Sequence, residues 1–255
     1  MKIIPNIKLI VKRILNYKVP GKYLTIRPDD IYLVSYPKSG NTWLRFLFGN
    51  LLYNDGVSFL DINSKVPDIY MTSKKEIDGL SSPRVIKSHE PYDARLPKVV
   101  YIYRDPRDVV ISYYYWCQKF SVIKEESFDS FFQSFIKGDV PFGLWSDHVN
   151  GWLSAAKKFP EKILTITYEE LKEDTYEGFK KILDFCNFDY NEKDIMNAVN
   201  ASSFAEMKKN EKETEANSFF NSTNKNISFV RSGKSEWKSK LTETQLRIIN
   251  DKFNL

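Results

Sequence analysis

Cysteine and histidine are scarce in this chain of 255 residues, which has only Cys117 and Cys186, His89 and His148. Two cysteines cannot build a disulfide scaffold and point to a reducing compartment, so a cytoplasmic protein is expected. With so few His and Cys side chains, no metal site is expected either. Long apolar runs are missing too: none approaches the roughly 18 residues that suggest a membrane span. Charge of one sign is in small excess, 38 Lys and Arg against 33 Asp and Glu, for a net +5. That balance suits an anionic small ligand. It is too mild, and too mixed along the chain, for a nucleic-acid binder.

What is present fits one globular domain over residues 1–255, with 42% hydrophobic and 28% charged residues. Residues 1–28 read as an N-terminal arm. Ile3, Ile7, Ile10 and Ile14 recur near helical spacing, with Lys8, Lys12 and Arg13 between them. This pattern is no secretory signal; it suits a helix packed on the domain, or a weak contact with a membrane surface. From Ile31 onward, short apolar runs at 31–35, 84–87, 99–103 and 163–167 alternate with helical patterns. Strands alternating with helices imply a three-layer α/β/α domain around a parallel sheet. Helices are expected from near Thr42 and over 108–119, 127–137 and 176–188. Residues 208–228, rich in Lys, Glu, Asn and Ser, read as a mobile lid, with Phe219 and Phe220 as its main apolar content.

Three strand ends carry the chemistry. The first is SYPKSGNTWLRF, residues 35–46. A strand, a tight turn and a helix N-terminus direct free N–H groups and the positive end of the helix dipole at an anion. Lys38 adds a full charge, and Ser39, Asn41 and Thr42 add polar groups. No GK[ST] follows, so this is not the common P-loop that holds magnesium. The second is RVIKSHEP, residues 84–91, which brings Lys87 and His89 to the end of another strand, where ligands gather in open α/β sheets. The third is VVYIYRDPRDVVISYYYW, residues 99–116. Here Arg104 ends a strand, Pro106 opens a helix, Asp105 and Asp108 suit the helix N-terminus, and Ser112 follows two turns in.

These three segments, in this order, resemble the sulfotransferase family that uses 3′-phosphoadenosine 5′-phosphosulfate (PAPS). The likeness runs from about residue 31 to 242. SYPKSGNTWL resembles the family's TYPKSGTTWL phosphosulfate loop, KSHEP its KTHLP-type strand end with the catalytic histidine, and YRDPRDVVISYY its 3′-phosphate segment. The resemblance implies a nucleotide-kinase-like α/β fold and sulfuryl transfer to a hydroxyl or amine of a small-molecule acceptor, without a metal. It assigns His89 as the general base and Lys38, with Lys87, to the charge on the transferring group. Ser39, Gly40, Asn41 and Thr42 would hold the 5′-phosphate, and Trp43 would stack beside the adenine. Arg104 and Ser112 would bind the 3′-phosphate. TYEEL adds Tyr168, and SSFAEMKKN adds Ser202, Ser203 and Phe204 around the nucleotide. FGLWSDHVNGW resembles an acceptor-side helix and places Trp145 and His148 near the acceptor pocket, and Phe219 and Phe220, as part of the expected lid, are the candidates to cover the acceptor.

The chain departs from the family in two places. RSGKSEWK, residues 231–238, stands where the family has RKGxxGDWK. Arg231, Ser232 and Gly233 are still expected at the 3′-phosphate, although Ser232 replaces a Lys and the loop is one residue shorter. The family's dimer motif KxxxTVxxxE retains only Lys238 and Thr242, so it does not support that dimer. An ATP-dependent small-molecule kinase and an inactive nucleotide-binding scaffold are the competing functions. The missing GK[ST] disfavours the first, and the presence of both Lys38 and His89 disfavours the second.

Overall fold

In the computed structural model, residues 23–122, 127–215 and 223–255 are described. The arm expected at the N-terminus therefore lies mostly outside the described residues, as do Phe219 and Phe220.

Among the described residues, four short strands form one parallel sheet: β1 (Ile31–Val34), β2 (Val85–Ser88), β3 (Lys98–Tyr103) and β4 (Ile163–Thr167). Their order is β2-β1-β3-β4, with Ile31 opposite both Val85 and Lys98, and Val99 opposite Ile163. β1, β3 and β4 are runs of mostly apolar residues because helices cover both faces, while β2 is apolar in its first half and ends on Lys87 and Ser88. Successive side chains point to opposite faces. Tyr32, Val34, Val99 and Tyr101 join one core with Val109, Ile111, Phe132 and Trp152, while Ile31, Leu33, Val100 and Ile102 join the other with Leu44, Phe48, Phe179 and Ile195.

In chain order the helices are α1 (Asn41–Leu52), α2 (Ile62–Lys65), α3 (Lys74–Asp78), α4 (Pro106–Lys119), α5 (Phe128–Lys137), α6 (Trp145–Lys158), α7 (Tyr168–Glu173) and α8 (Thr175–Cys186). They continue with α9 (Glu192–Ala201), α10 (Phe204–Glu215), α11 (Trp237–Lys240) and α12 (Glu243–Phe253). Local signals set several of these ends. Asp105 caps α4, accepting the Arg107 N–H at 2.8 Å, and Pro106 takes the first position. Thr167 with Glu170 and Thr242 with Gln245 form capping boxes on α7 and α12. The stretch read as a loop from residue 208 is helical as far as Glu215. Glu211 and Thr214 are buried there, so this helix is anchored by polar contacts that its low apolar content conceals.

β1 has β2 on one side and β3 on the other, so the chain leaves β1 in one direction and returns in the opposite one. The crevice at such a switch point, at the carboxyl ends of the strands, is where open α/β sheets bind ligands. The turn after β1, His89 after β2, Arg104 after β3 and Tyr168 after β4 all lie on that edge.

Candidate active site

These strand ends border a cleft of about 550 Å³. The turn from β1 into α1 forms its floor. It requires positive φ at Lys38 (69°) and at Gly40 (103°). A Cβ on Gly40 would lie 2.8 Å from Tyr168 Cδ2 and 3.0 Å from Ile102 Cδ1, so only glycine fits. α1 has no side-chain cap and no acidic residue in its first turn. Its leading N–H groups and positive dipole end thus suit an anion. Ser39 Oγ, buried beside them, has no hydrogen-bond partner. Asn41 is anchored by its side chain. Its side-chain amide donates to Leu33 O (2.9 Å) and Ser35 Oγ (3.2 Å), so it ties the turn to β1 and leaves the main-chain N–H as its donor to a ligand.

Cations gather around this floor. The Lys38 ammonium lies 4.5 Å over the Phe229 ring. Burial, and after it the charges of Lys87, Arg104 and Arg231, lower its pKa to about 7. Arg104 lies 4.4 Å over the Tyr168 ring and 3.6 Å from Asp108, and its buried Nε makes no hydrogen bond, with Glu169 Oε1 standing 3.9 Å away. Arg231 packs on the Tyr115 ring at 4.7 Å and pairs with Glu236, and its Nε is also buried without a partner. Ser112 lines the cleft near them. Cations that repel one another, with unused donors among them, fit a ligand carrying several phosphate or sulfate oxygens.

Opposite the turn stands His89. Its Nδ1 lies 2.7 Å from Ser35 O and 3.2 Å from Ser35 Oγ. A carbonyl only accepts, so Nδ1 carries the proton and Nε2 is the basic atom. Tyr70 stacks on the ring at 5.9 Å, and Phe142 meets it edge-on at 5.4 Å. Burial first, then the Lys87 charge, holds the imidazole well below its usual pKa of 6.5. Lys87 is not a free cation: its ammonium lies 2.6 Å from Asp68 Oδ2.

Along the same cleft, Trp43 donates to Ser202 O at 3.1 Å and meets Tyr168 edge-on at 5.6 Å. Thr42, Ser203, Phe204, Ser232 and Gly233 line the same cleft. Gly233, at φ 60°, packs so close to Phe204 that a Cβ there would meet its ring at 2.7 Å. Ser232 Oγ donates to Glu236 at 2.9 Å, which holds the shortened loop together.

Two expectations need correction. Neither Trp145 nor His148 lines the cleft. Trp145 packs against Phe253 at 5.1 Å in the core. Tyr101 and the backbone lock His148 in place: its Nδ1 lies 2.9 Å from Tyr101 Oη, and its Nε2 donates to His89 O at 3.0 Å. It braces the loop bearing His89 instead of facing an acceptor. Conversely, Ser35, Asp68, Tyr70, Phe142 and Phe229 belong to the site and were not singled out from the sequence. Asp68 and Tyr70 reach it because residue 68 bridges to Lys87 beside the sheet, a pairing without a local sequence signal. Phe229 precedes Arg231 by two residues, and that proximity was the only clue to it. Among the described residues, no group of three or more His, Cys, Asp or Glu side chains could hold a metal ion, and no helix is long and apolar enough to cross a membrane.

A family model of the sulfotransferase domain matches residues 28–254. Sulfotransferase 1E1 of Bos taurus is 30% identical over 253 residues, covering 90% of this chain and 82% of that protein. Sulfotransferase 1 family member D1 of Rattus norvegicus is 32% identical over 243 residues, covering 86% and 80%. Mouse sulfotransferase SULT7A1, solved in complex with PAP, superposes with a TM-score of 0.70 at 27% identity, covering 96% of this chain and 87% of that one. Retinol dehydratase, solved with retinol and PAP, shares the fold at 18% identity with a TM-score of 0.76, covering 99% and 94%. The parallel sheet with helices on both faces is thus the α/β sulfotransferase fold. With its domain model matched from residue 28 to 254 and relatives of about 30% identity across most of its length, the chain belongs to the sulfotransferase family.

Proposed function

We propose that this protein transfers a sulfuryl group from PAPS to a hydroxyl or amine of a small-molecule acceptor, with His89 as general base. One observation carries the proposal. The Nδ1–H of His89 is committed to Ser35 O, which leaves a proton-accepting Nε2 on a ring that shares its cleft with the anion-binding turn. When bound, PAPS supplies the sulfuryl group. The α1 N-terminus, Ser39, Thr42 and the main chain of Gly40 and Asn41 hold its 5′ end, while Arg104, Ser112 and Arg231 hold the 3′-phosphate. Trp43, Tyr168 and Phe204 border the adenine.

Catalysis on this reading is chiefly positioning and charge compensation. Lys38 would regain its full charge beside the bound anion and offset the negative charge that builds on the 5′-phosphate oxygens as the sulfuryl group is transferred. His89 Nε2 removes the acceptor proton, and its depressed pKa keeps it unprotonated and ready at neutral pH. No step calls for a metal. Tyr70, Phe142, Phe59 and Phe120 line the remaining cleft and suit an acceptor with an apolar body.

The test pairs nucleotide binding with turnover. 3′-Phosphoadenosine 5′-phosphate (PAP) should bind far more tightly than ADP or magnesium-ATP, and Arg104→Ala should erase most of that preference. His89→Ala should lower turnover by about 10²-fold or more at unchanged PAP affinity. Equal affinity of the unmodified protein for PAP and magnesium-ATP would favour the kinase alternative and refute the proposal.

A further inference from the structure

The segment that leads into Arg231 runs beside the cleft as an irregular strap, and α10 holds it. Backbone without regular structure must find partners for its polar groups when it is buried. Here one side chain takes two of them. The carboxylate of Glu211 accepts the N–H of Phe229 on one oxygen and the N–H of Val230, at 2.9 Å, on the other. Glu211 is 2% exposed, so its charge is withdrawn from water, and Lys119, at the end of α4 and likewise buried, answers it at 3.6 Å. Lys119 in turn donates to Ile227 O at 2.7 Å. Lys208, one turn before Glu211 on α10, donates to Ser228 Oγ and to Val230 O, both at 3.0 Å.

Two cations and one anion therefore bind the strap at consecutive residues from 227 to 230; Glu211 and Lys208 stand outside the cleft lining, while Lys119 also borders a small recess beside it with Lys38, Ser112 and Arg231. The next residue is Arg231, and Phe229 lies against the Lys38 ammonium. Withdrawing a carboxylate and an ammonium from water is costly, and replacing such a pair with apolar residues is often neutral or stabilising. The arrangement is thus poorly explained by stability alone, and what it holds is the backbone on which two cleft side chains depend.

We propose that Glu211, supported by Lys119 and Lys208, is a positioning residue for nucleotide recognition: its grip on the main chain of Phe229 and Val230 sets the guanidinium of Arg231 for the 3′-phosphate. The inference rests on the reading above that Arg231 binds that phosphate. Glu211 touches no ligand itself. Its replacement should weaken binding through the 3′-phosphate and spare the contacts made by the α1 N-terminus.

The experiment measures Kd for PAP and for AMP, which lacks the 3′-phosphate, on the unmodified full chain and on Arg231→Ala, Glu211→Gln and Lys208→Met, with thermal melts alongside. Glu211→Gln is nearly isosteric but turns an amide N–H₂ toward a backbone N–H. It should cut the preference for PAP over AMP by about tenfold, the scale of one hydrogen bond to a charged group, at unchanged AMP affinity. Lys208→Met, at a half-buried position, should give the same effect at smaller size and keeps the test open if Glu211→Gln does not fold. Loss of preference in Arg231→Ala with full preference in both Glu211→Gln and Lys208→Met would overturn the positioning role and leave the Arg231 reading intact. Full preference in Arg231→Ala would instead overturn that reading, and the positioning role with it. An equal loss of PAP and AMP affinity in Glu211→Gln would show general loosening and also overturn the proposal.

Discussion

Lys87 and Asp68 form an ion pair of 2.6 Å at the edge of the cleft, with side chains 13% and 8% exposed. Asp68 also accepts the Tyr70 N–H at 2.9 Å, so one carboxylate fixes both the lysine of β2 and the tyrosine that stacks on His89. Removing one partner of a buried pair leaves an uncompensated charge. Asp68→Asn should therefore destabilise the fold by about 3–5 kcal/mol, and Asp68→Asn combined with Lys87→Met should recover much of that loss. Urea denaturation of the two single variants and the double variant would check this. Purely additive losses would mean that the pair is not coupled.

Stability should fall with acidity before most carboxylates titrate. Both histidines are buried, which holds His89 well below 6.5 and His148 at about 4. Below pH 6.5 the unfolded chain binds protons that the folded chain refuses, so unfolding takes up protons and stability drops as pH falls. Each histidine should contribute about 1.4 kcal/mol per pH unit in the window between its unfolded and folded pKa values. Urea midpoints at about pH 7.5, 6 and 5 measure the slope, and His148→Gln should remove one histidine's share of it. A flat profile down to about pH 5 would contradict the burial argument.

Nucleotide affinity should weaken on the alkaline side. With Lys38 held near a pKa of about 7 by burial and by neighbouring cations, raising the pH discharges it in the free protein. PAP binding must then recover that proton. Titrations between about pH 7 and 9 should show Kd rising by up to about tenfold per pH unit once Lys38 is neutral. Lys38→Arg should flatten the dependence, because a guanidinium keeps its proton throughout. An equally steep profile in Lys38→Arg would exclude Lys38 as its cause.

Gly40→Ala should cost both stability and binding. The substitution adds a Cβ at φ 103°, within 2.8 Å of Tyr168 and 3.0 Å of Ile102. Backbone strain of this kind costs about 1–3 kcal/mol, and the displaced Tyr168 is the ring on which Arg104 lies. A lowered melting temperature with weaker PAP binding is expected. A variant with unchanged PAP affinity would show that the turn tolerates a side chain.

The sequence by itself determined the sheet and the anion-binding turn, because both are encoded locally. A strand buried on both faces must be a short apolar run, and IYLV, VIKS and ILTIT each stand as such a run or its close variant at β1, β2 and β4. Pro106, Asp105 and Gly40 announce a helix start, a cap and a left-handed turn through their own chemistry. Lys38, His89 and Arg104 were legible because each follows a strand on the same edge of the sheet. Tertiary structure alone decided which partners these groups meet. Nothing near Lys87 in the chain indicates Asp68, and nothing near Phe229 indicates Glu211, because ion pairs between distant segments carry no periodicity. His148 shows the same limit from the other side: it sits on a helix that the sequence placed at the acceptor, yet packing turned its ring to Tyr101 and the backbone of His89. Local pattern reports burial and turn geometry, which depend on neighbours in sequence. The charge balance of a site depends on neighbours in space, and those exist only once the chain has folded.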